Sequence, residues 1–315
     1  MSEFLEPFER MLESLSPPAT VRSIEAGGDA DALWNGIAES GFLDALVPEE
    51  RGGAGLPLAE VCALWQALGR HAVPLPVGET MIARALLADA PDGPIALASA
   101  GPGAATVVPF GRVARHVLLE FGGRLCLVEA SGEETGVAGS LAARMIWDAA
   151  PAEVVGAAPA GGLRAIAAVL RAALIAGAAD RLTAMTAAYA NERVQFGKPI
   201  GKQQALQQQM ALMAEDMVAC RIAAQLGCAG DLQPGLVAAA TAKSIASTAA
   251  ARLAATAHAV HGAIGISEEY DLQLYTRRLH EWRLADGSET YWNRLLGAAR
   301  LGDARGSVDY VREAL

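Results

Sequence analysis

Between residues 163 and 185, Leu163, Ile166, Leu170, Leu174, Ala178, Leu182 and Met185 follow one another at steps of three and four, the period of one helix face. They mark one apolar face of a long, alanine-rich helix. Arg171, Asp180 and Arg181 interrupt it, which excludes a membrane span. A second long helix is predicted over about 202–228 and a third over about 236–260, with a shorter one after Gly287. Gly197 with Pro199, and Gly-Asp-Leu-Gln-Pro-Gly at 230–235, supply the stops. Alanine-lined faces permit close axial approach, and short loops make neighbours antiparallel. The prediction for 159–315 is an up-down four-helix bundle.

The first 93 residues also read as helical. Phe4, Phe8, Met11, Leu12 and Leu15 mark a helix stopped by Pro17-Pro18, and Leu33, Trp34, Ile37 and Ala38 mark one ending at Gly41. Val61, Leu64, Trp65 and Leu68 mark a third, running from Pro57 to Gly69, and a short helix is expected near 80–89. Gly52, Gly53 and Gly55 predict a flexible loop. Between 94 and 158 the period changes. IALASA, ATVVPF, ARHVLLEF and RLCLVEA are short apolar runs, and Gly122-Gly123 between the last two is a hairpin signal. Four to six strands fit this length. The fold class is mainly α: an N-terminal helical domain (1–93), a reduced middle β domain (94–158) and a C-terminal four-helix bundle (159–315).

Lys and Arg total 25 against 35 Asp and Glu, a net charge of −10 that opposes binding to nucleic acid or anionic membrane. Cys62, Cys126, Cys220 and Cys228 form no CxxC pair and read as buried thiols of a reducing compartment. The start, MSEFLEPFERMLESL, is acidic and unlike a signal peptide, so the expected location is the cytoplasm.

The string Arg193-Val-Gln195-Phe196-Gly197-Lys-Pro199-Ile200-Gly-Lys-Gln-Gln204 carries the chemistry. A guanidinium and an amide at the exposed end of a buried helix suit a phosphate or ribose, and they equally suit helix-end capping. The string resembles the C-terminal signature of the acyl-CoA dehydrogenase family, R-x-Q-F-G-x-P-I-x-x-x-Q, at every fixed position. VPEERGGAGLPLAE (47–60) resembles the family's N-terminal loop, VPFGRVARHVLLE (108–120) a stretch of its β domain, and His261-Gly262-Ala263-Ile264-Gly265-Ile266 its H-G-G-x-G-[FY] turn.

The resemblance implies FAD and an acyl-CoA thioester: a carboxylate takes the α-proton while the flavin accepts hydride from the β-carbon. It implies that Arg193 meets pyrophosphate and that Gln195 and Phe196 line the adenosine path of a cofactor held mainly by a neighbouring subunit. Gly262 and Gly265 bring backbone to the same phosphates, and Ser288 belongs to the cofactor-contacting set. Three features depart from the family. Ala259 stands where the family has Gln. Neither a T-E-P-x-x-G-S-D loop nor a W-I-[TS]-N loop, the flavin-ring holders, occurs between 94 and 158. The base step x-E-G-T reads Ala285-Asp286-Gly287-Ser288, and Asp places its carboxylate about 1 Å short, a displacement that can cost about 10²-fold. Asp286 is therefore either a base or an N-cap with Glu289 completing a capping box. The family's other base position falls near Ala167.

Remaining candidates read as structural: His258 and His261 as packing rather than metal ligands, Glu49-Glu50 as a solvated loop, and Arg277-Arg278 with His280 and Arg283 as subunit packing. Three functions follow. The first is the short subunit of a heteromeric acyl-CoA dehydrogenase whose full-length partner holds the flavin ring and the base. The string Asp271-Leu-Gln-Leu-Tyr-Thr-Arg-Arg resembles the branch whose α₂β₂ enzymes degrade steroid side chains. The second is a self-sufficient dehydrogenase or flavin oxidase using Asp286, assembled with itself. The third is a non-catalytic structural subunit. An electron-transfer flavoprotein is the implied electron acceptor.

Overall fold

The computed structural model describes residues 3–314. Five helices open the chain: α1 (Leu5–Leu15), α2 (Pro18–Glu25), α3 (Asp31–Glu39), α4 (Leu58–Arg70) and α5 (Val77–Leu86). Pro17-Pro18 follows the end of α1, as the sequence predicts, and Pro18 also begins α2, because proline at the first helical position lacks only an N–H that would be unbonded anyway. The glycine-rich loop at 52–55 is tightly folded: the Gly55 N–H donates to Val47 O at 2.8 Å, and a Cβ on Gly53 would sit 2.2 Å from that same oxygen.

Seven short strands follow. β1 (Ile95–Ala100), β3 (His116–Phe121), β4 (Arg124–Glu129) and β7 (Val154–Ala157) form one sheet in the order β1-β3-β4-β7. β2 (Thr106–Val108), β6 (Ala143–Met145) and β5 (Glu133–Glu134) form a second. Gly122 and Gly123 both have positive φ and close the β3–β4 hairpin, as their sequence signals. The β1–β3 pair is parallel and the others are antiparallel.

The C-terminal part begins with α6 (Leu163–Glu192), followed by the small hairpin β8 (Val194–Gln195) and β9 (Lys198–Pro199). Then come α7 (Gln204–Gly227), α8 (Leu236–His261), α9 (Leu272–Leu284), α10 (Glu289–Leu301) and α11 (Ser307–Ala314). Every residue from Ala165 to Ala179 is buried, because α6 is the central helix of the molecule and packs on α4 as well as α7, α8 and α9. Glycine makes the α4 contact: a Cβ on Gly177 would lie 1.8 Å from Gln66 O, and one on Gly69 2.0 Å from Leu174 O. Gly69 is thus a close-approach residue in the last turn of α4, which ends one residue beyond the stop expected at Gly69. Helix α9 has no clean apolar period because its charged residues are buried or half-buried through pairing. Arg278 meets Glu25 at 2.9 Å and also donates to Ala72 O, and Arg277 meets Glu25 at 2.5 Å. The arginine pair expected at a subunit contact therefore joins α9 to α2 within the chain. All four cysteines are buried, and no described helix is long and apolar enough to cross a membrane.

Candidate functional site

Helices α9 and α10 are joined by Ala285–Ser288. Asp286 has φ +55 and Gly287 φ +99, two successive left-handed residues, and an aspartate there costs roughly 1–2 kcal/mol that its surroundings must offset. They do so from three sides. Asp286 Oδ2 accepts from Arg171 Nε at 2.9 Å, Asp286 O accepts from the Trp292 indole N–H at 3.0 Å, and Gly287 O accepts from Lys243 Nζ at 2.9 Å. Lys243 also donates to Arg283 O and to Ser247 Oγ, both at 2.8 Å. The helix cap belongs to Ser288, whose Oγ accepts from the Tyr291 N–H at 3.4 Å, and Glu289 pairs with Arg283 instead of completing a capping box. Asp286 is thus not an N-cap. A left-handed residue cannot supply the extended backbone that a cap requires.

Behind Asp286 lies a buried ion network that links two domains. Arg171 of α6 is 0% exposed and Glu79 of α5 1% exposed, and they approach at 2.5 Å in an ion pair that is not aligned as a hydrogen bond. Burial raises the Glu79 pKa, with Arg171 opposing. Burial works against the Arg171 guanidinium too, but Glu79 and Asp286 outweigh it and its pKa is raised. Burial draws the Lys243 ammonium down to about 7, with Asp286 opposing. Arg171 thus stands between two carboxylates, the pairing under which charges are tolerated in an apolar interior, while Lys243 is held by neutral oxygens. The sequence reading missed Glu79, Arg171 and Lys243 as functional. One signal was present for Arg171: on a helix apolar all round, an arginine at mid-length has no solvent face and must have a carboxylate partner.

Asp286 borders a cavity of about 700 Å³ between the β domain, the N-terminal end of α6 and α9. Val107, Phe110, Leu141 and Trp282 line it together with Ser99 and Arg164. Ala167, at the family's other base position, is 1% exposed and carries no acid.

Arg193, Gln195 and Phe196 lie elsewhere. Residues 191–198 are all exposed, and Phe196 is 90% exposed. Phe196 and Gly197 both have positive φ (+53 and +76), the turn that closes the β8–β9 hairpin. The turn thus displays an aromatic ring on the outside of the hairpin. Arg171 and Arg193 are 22 residues apart along α6, about 33 Å of helix. The structure therefore separates the two halves of the candidate site, with the base-position turn at one end of α6 and the RxQFG hairpin at the other. The glycine turn lies at the end of α8: Gly262 has φ +61, and a Cβ on Gly265 would sit 2.9 Å from Leu272. Packing by itself accounts for Gly265. His261 beside it has Nδ1 2.8 Å from Ala257 O and its ring stacked on Tyr189 at 4.5 Å, while His258 Nε2 meets Thr276 Oγ1 at 3.0 Å.

An N-terminal helical domain, a small β domain and a helical bundle with an exposed RxQFG hairpin define the flavin-dependent acyl-CoA oxidoreductase architecture. Residues 3–90 match the acyl-CoA dehydrogenase N-terminal domain family and residues 165–302 the acyl-CoA dehydrogenase C-terminal domain family. The chain is 35% identical over 275 residues to acyl-CoA dehydrogenase IpdE2 of Mycobacterium tuberculosis, covering 84% of this chain and 85% of that protein. IpdE2 of Mycolicibacterium smegmatis is 32% identical, covering 87% and 90%. Among solved structures, a variant of the Tcur3481–Tcur3483 steroid acyl-CoA dehydrogenase superposes with TM-score 0.84 at 25% identity, covering 96% and 97%. The ChsE4–ChsE5 complex of M. tuberculosis, TM-score 0.80 at 23% identity, covering 97% and 99%, shares the fold. The chain belongs to the acyl-CoA dehydrogenase family, an oxidoreductase family.

Proposed function

We propose that this chain is the shorter subunit of an FAD-dependent acyl-CoA dehydrogenase and works through contacts to a cofactor centred on a full-length partner. The separation along α6 carries this reading. A nucleotide in the chain's own cavity, beside Asp286, does not span the length of helix to Arg193, whereas an exposed hairpin at the far end is free to meet the ADP half of a cofactor bound by a neighbour. The relatives support it: a steroid acyl-CoA dehydrogenase named for two proteins and a complex of ChsE4 with ChsE5 are both similar in fold. The residues present fit the ADP half. Arg193 offers a charge-assisted fork to pyrophosphate, and Gln195 and Phe196 offer an amide and a ring face to the adenosine. Gly262 brings backbone close to the same phosphates, and Ser288, engaged as a helix cap, holds the α9–α10 turn. FAD held this way would supply the hydride acceptor for α,β-desaturation of an acyl-CoA thioester, with an electron-transfer flavoprotein as the electron acceptor.

In this chain Asp286 serves as the counter-ion of Arg171. The chain purified alone is expected to be colourless, and the complex with its partner yellow with fewer than one FAD per chain. Arg193→Ala should lower FAD occupancy of the complex by about 10–150-fold in affinity, the loss of one charge-assisted hydrogen bond. A second reading, a self-sufficient enzyme with Asp286 as base, is favoured by the position of Asp286 on the cavity wall. It predicts a yellow, active chain on its own, inactivated by Asp286→Asn.

A further inference from the structure

Arg164, the second residue of α6, lines the cavity. Its Nη2 donates to Ser99 O at 3.2 Å, its Nη1 to Tyr291 Oη at 3.3 Å, and its guanidinium lies 5.3 Å from the Tyr291 ring centre. These are long bonds to neutral groups, and they leave most of its five N–H donors unused. Several of the other charges near the cavity are matched within the chain. Arg277 and Arg278 face Glu25 and Glu281. Arg171 and Lys243 face Glu79 and Asp286. Arg144, exposed on the β-domain side of the cavity, stands opposite Glu133 in the β5–β6 register without closing an ion pair, so it is a second, more solvated cation at the rim. Glu120, near the start of α6, is occupied by the Leu163 N–H at 2.7 Å and Ser99 Oγ at 3.2 Å. Arg164 has no carboxylate at ion-pair distance among the described residues. It stands at the positive end of a 30-residue helix, which adds to its field.

The rest of the cavity wall is mostly apolar, with Val107, Pro109, Phe110, Leu141 and Trp282 on it. A space of about 700 Å³ with a half-buried cation, Arg164, at its inner wall and the exposed Arg144 at its rim suits an apolar molecule with an anionic end. A planar guanidinium pairs best with a carboxylate, two parallel N–H···O bonds at once. Chemistry on such a molecule has no base to call on, since Asp286 is committed to Arg171 and position 167 is alanine. We propose that the cavity of this chain is a non-reacting binding site for an apolar carboxylic acid, with Arg164 holding the carboxylate. This rests on the reading that the flavin ring is held by the partner and not here.

The full chain is titrated with decanoate by calorimetry, with quenching of Trp282 fluorescence as the local reporter, and with decanamide and decanoyl-CoA as comparison ligands. Decanoate should bind at least about ten-fold more tightly than decanamide. Arg164→Gln should bring decanoate to the level of decanamide without changing decanamide, and Arg164→Lys should restore part of the difference. Ala105→Trp, an exposed position on the cavity wall, should block both ligands while leaving the core untouched. Equal binding of decanoate and decanamide overturns the proposal. So does binding of neither by a colourless folded chain, or tighter binding of decanoyl-CoA than of decanoate with no effect of Arg164→Gln. A chain that purifies yellow instead refutes the subunit reading on which the proposal rests, so the two failures are told apart by colour.

Discussion

Replacing Arg171 by methionine tests whether the network behind Asp286 holds the α5–α6–α9 junction together. Methionine keeps much of the stem volume but leaves Glu79, 1% exposed, with no cation in contact and removes the Arg171 bond to Asp286. Removing one partner of a buried ion pair typically costs about 3–5 kcal/mol. With an unfolding entropy of roughly 2.1 cal/mol/K per residue over 315 residues, that corresponds to a fall in Tm of about 5–8 °C. The pH dependence has a definite sign. Burial already raises the Glu79 pKa in the folded chain, with Arg171 opposing, so loss of Arg171 raises it further. A carboxyl whose folded pKa lies above its unfolded value contributes stability below the unfolded value and loses it as pH climbs through the folded one. The deficit of Arg171→Met relative to wild type should therefore grow between pH 5 and pH 8, by about 1.4 kcal/mol for each unit of additional shift. Adding Glu79→Gln removes the stranded charge and should recover at least half the loss. Urea denaturation followed by far-UV circular dichroism at the two pH values measures all of this. A deficit under about 1 kcal/mol that is equal at pH 5 and 8, or a double variant weaker than the single, would refute the network as described.

With the base on the partner, as proposed, Asp286→Asn should leave turnover of the complex within a few-fold of wild type; a loss of orders of magnitude in steady-state activity would favour the self-sufficient reading. Gly177→Ala drives a methyl group to 1.8 Å from Gln66 O, so α4 and α6 must separate, and it should cost about 1–3 kcal/mol or more by thermal melting; no change in Tm would contradict the backbone contact. Phe196→Ser removes a ring that is 90% exposed and should alter the stability of the isolated chain by less than about 0.5 kcal/mol, while weakening association with a full-length partner in sedimentation experiments. Unchanged association would remove the hairpin from the interface.

The sequence by itself determined the fold class, because the two signals that specify it are local. A three-and-four apolar step across 163–185 admits only a buried helix, and Gly122-Gly123 between alternating apolar runs admits only a tight hairpin. The family was legible for the same reason: the RxQFG string is contiguous and its residues act through one exposed hairpin. Tertiary structure decided what sequence order does not encode. Gly69 as a close-approach residue depended on α6 packing beside it. The role of Asp286 depended on Arg171, 115 positions away, and through it on Glu79. Arg171 is an arginine in an alanine-rich helix until α5 and the α9–α10 turn meet it, and only then is the carboxylate at the base position seen to be held by a buried cation. Long-range electrostatic pairing has no period and no spacing rule, so it becomes visible only when distant elements are brought together.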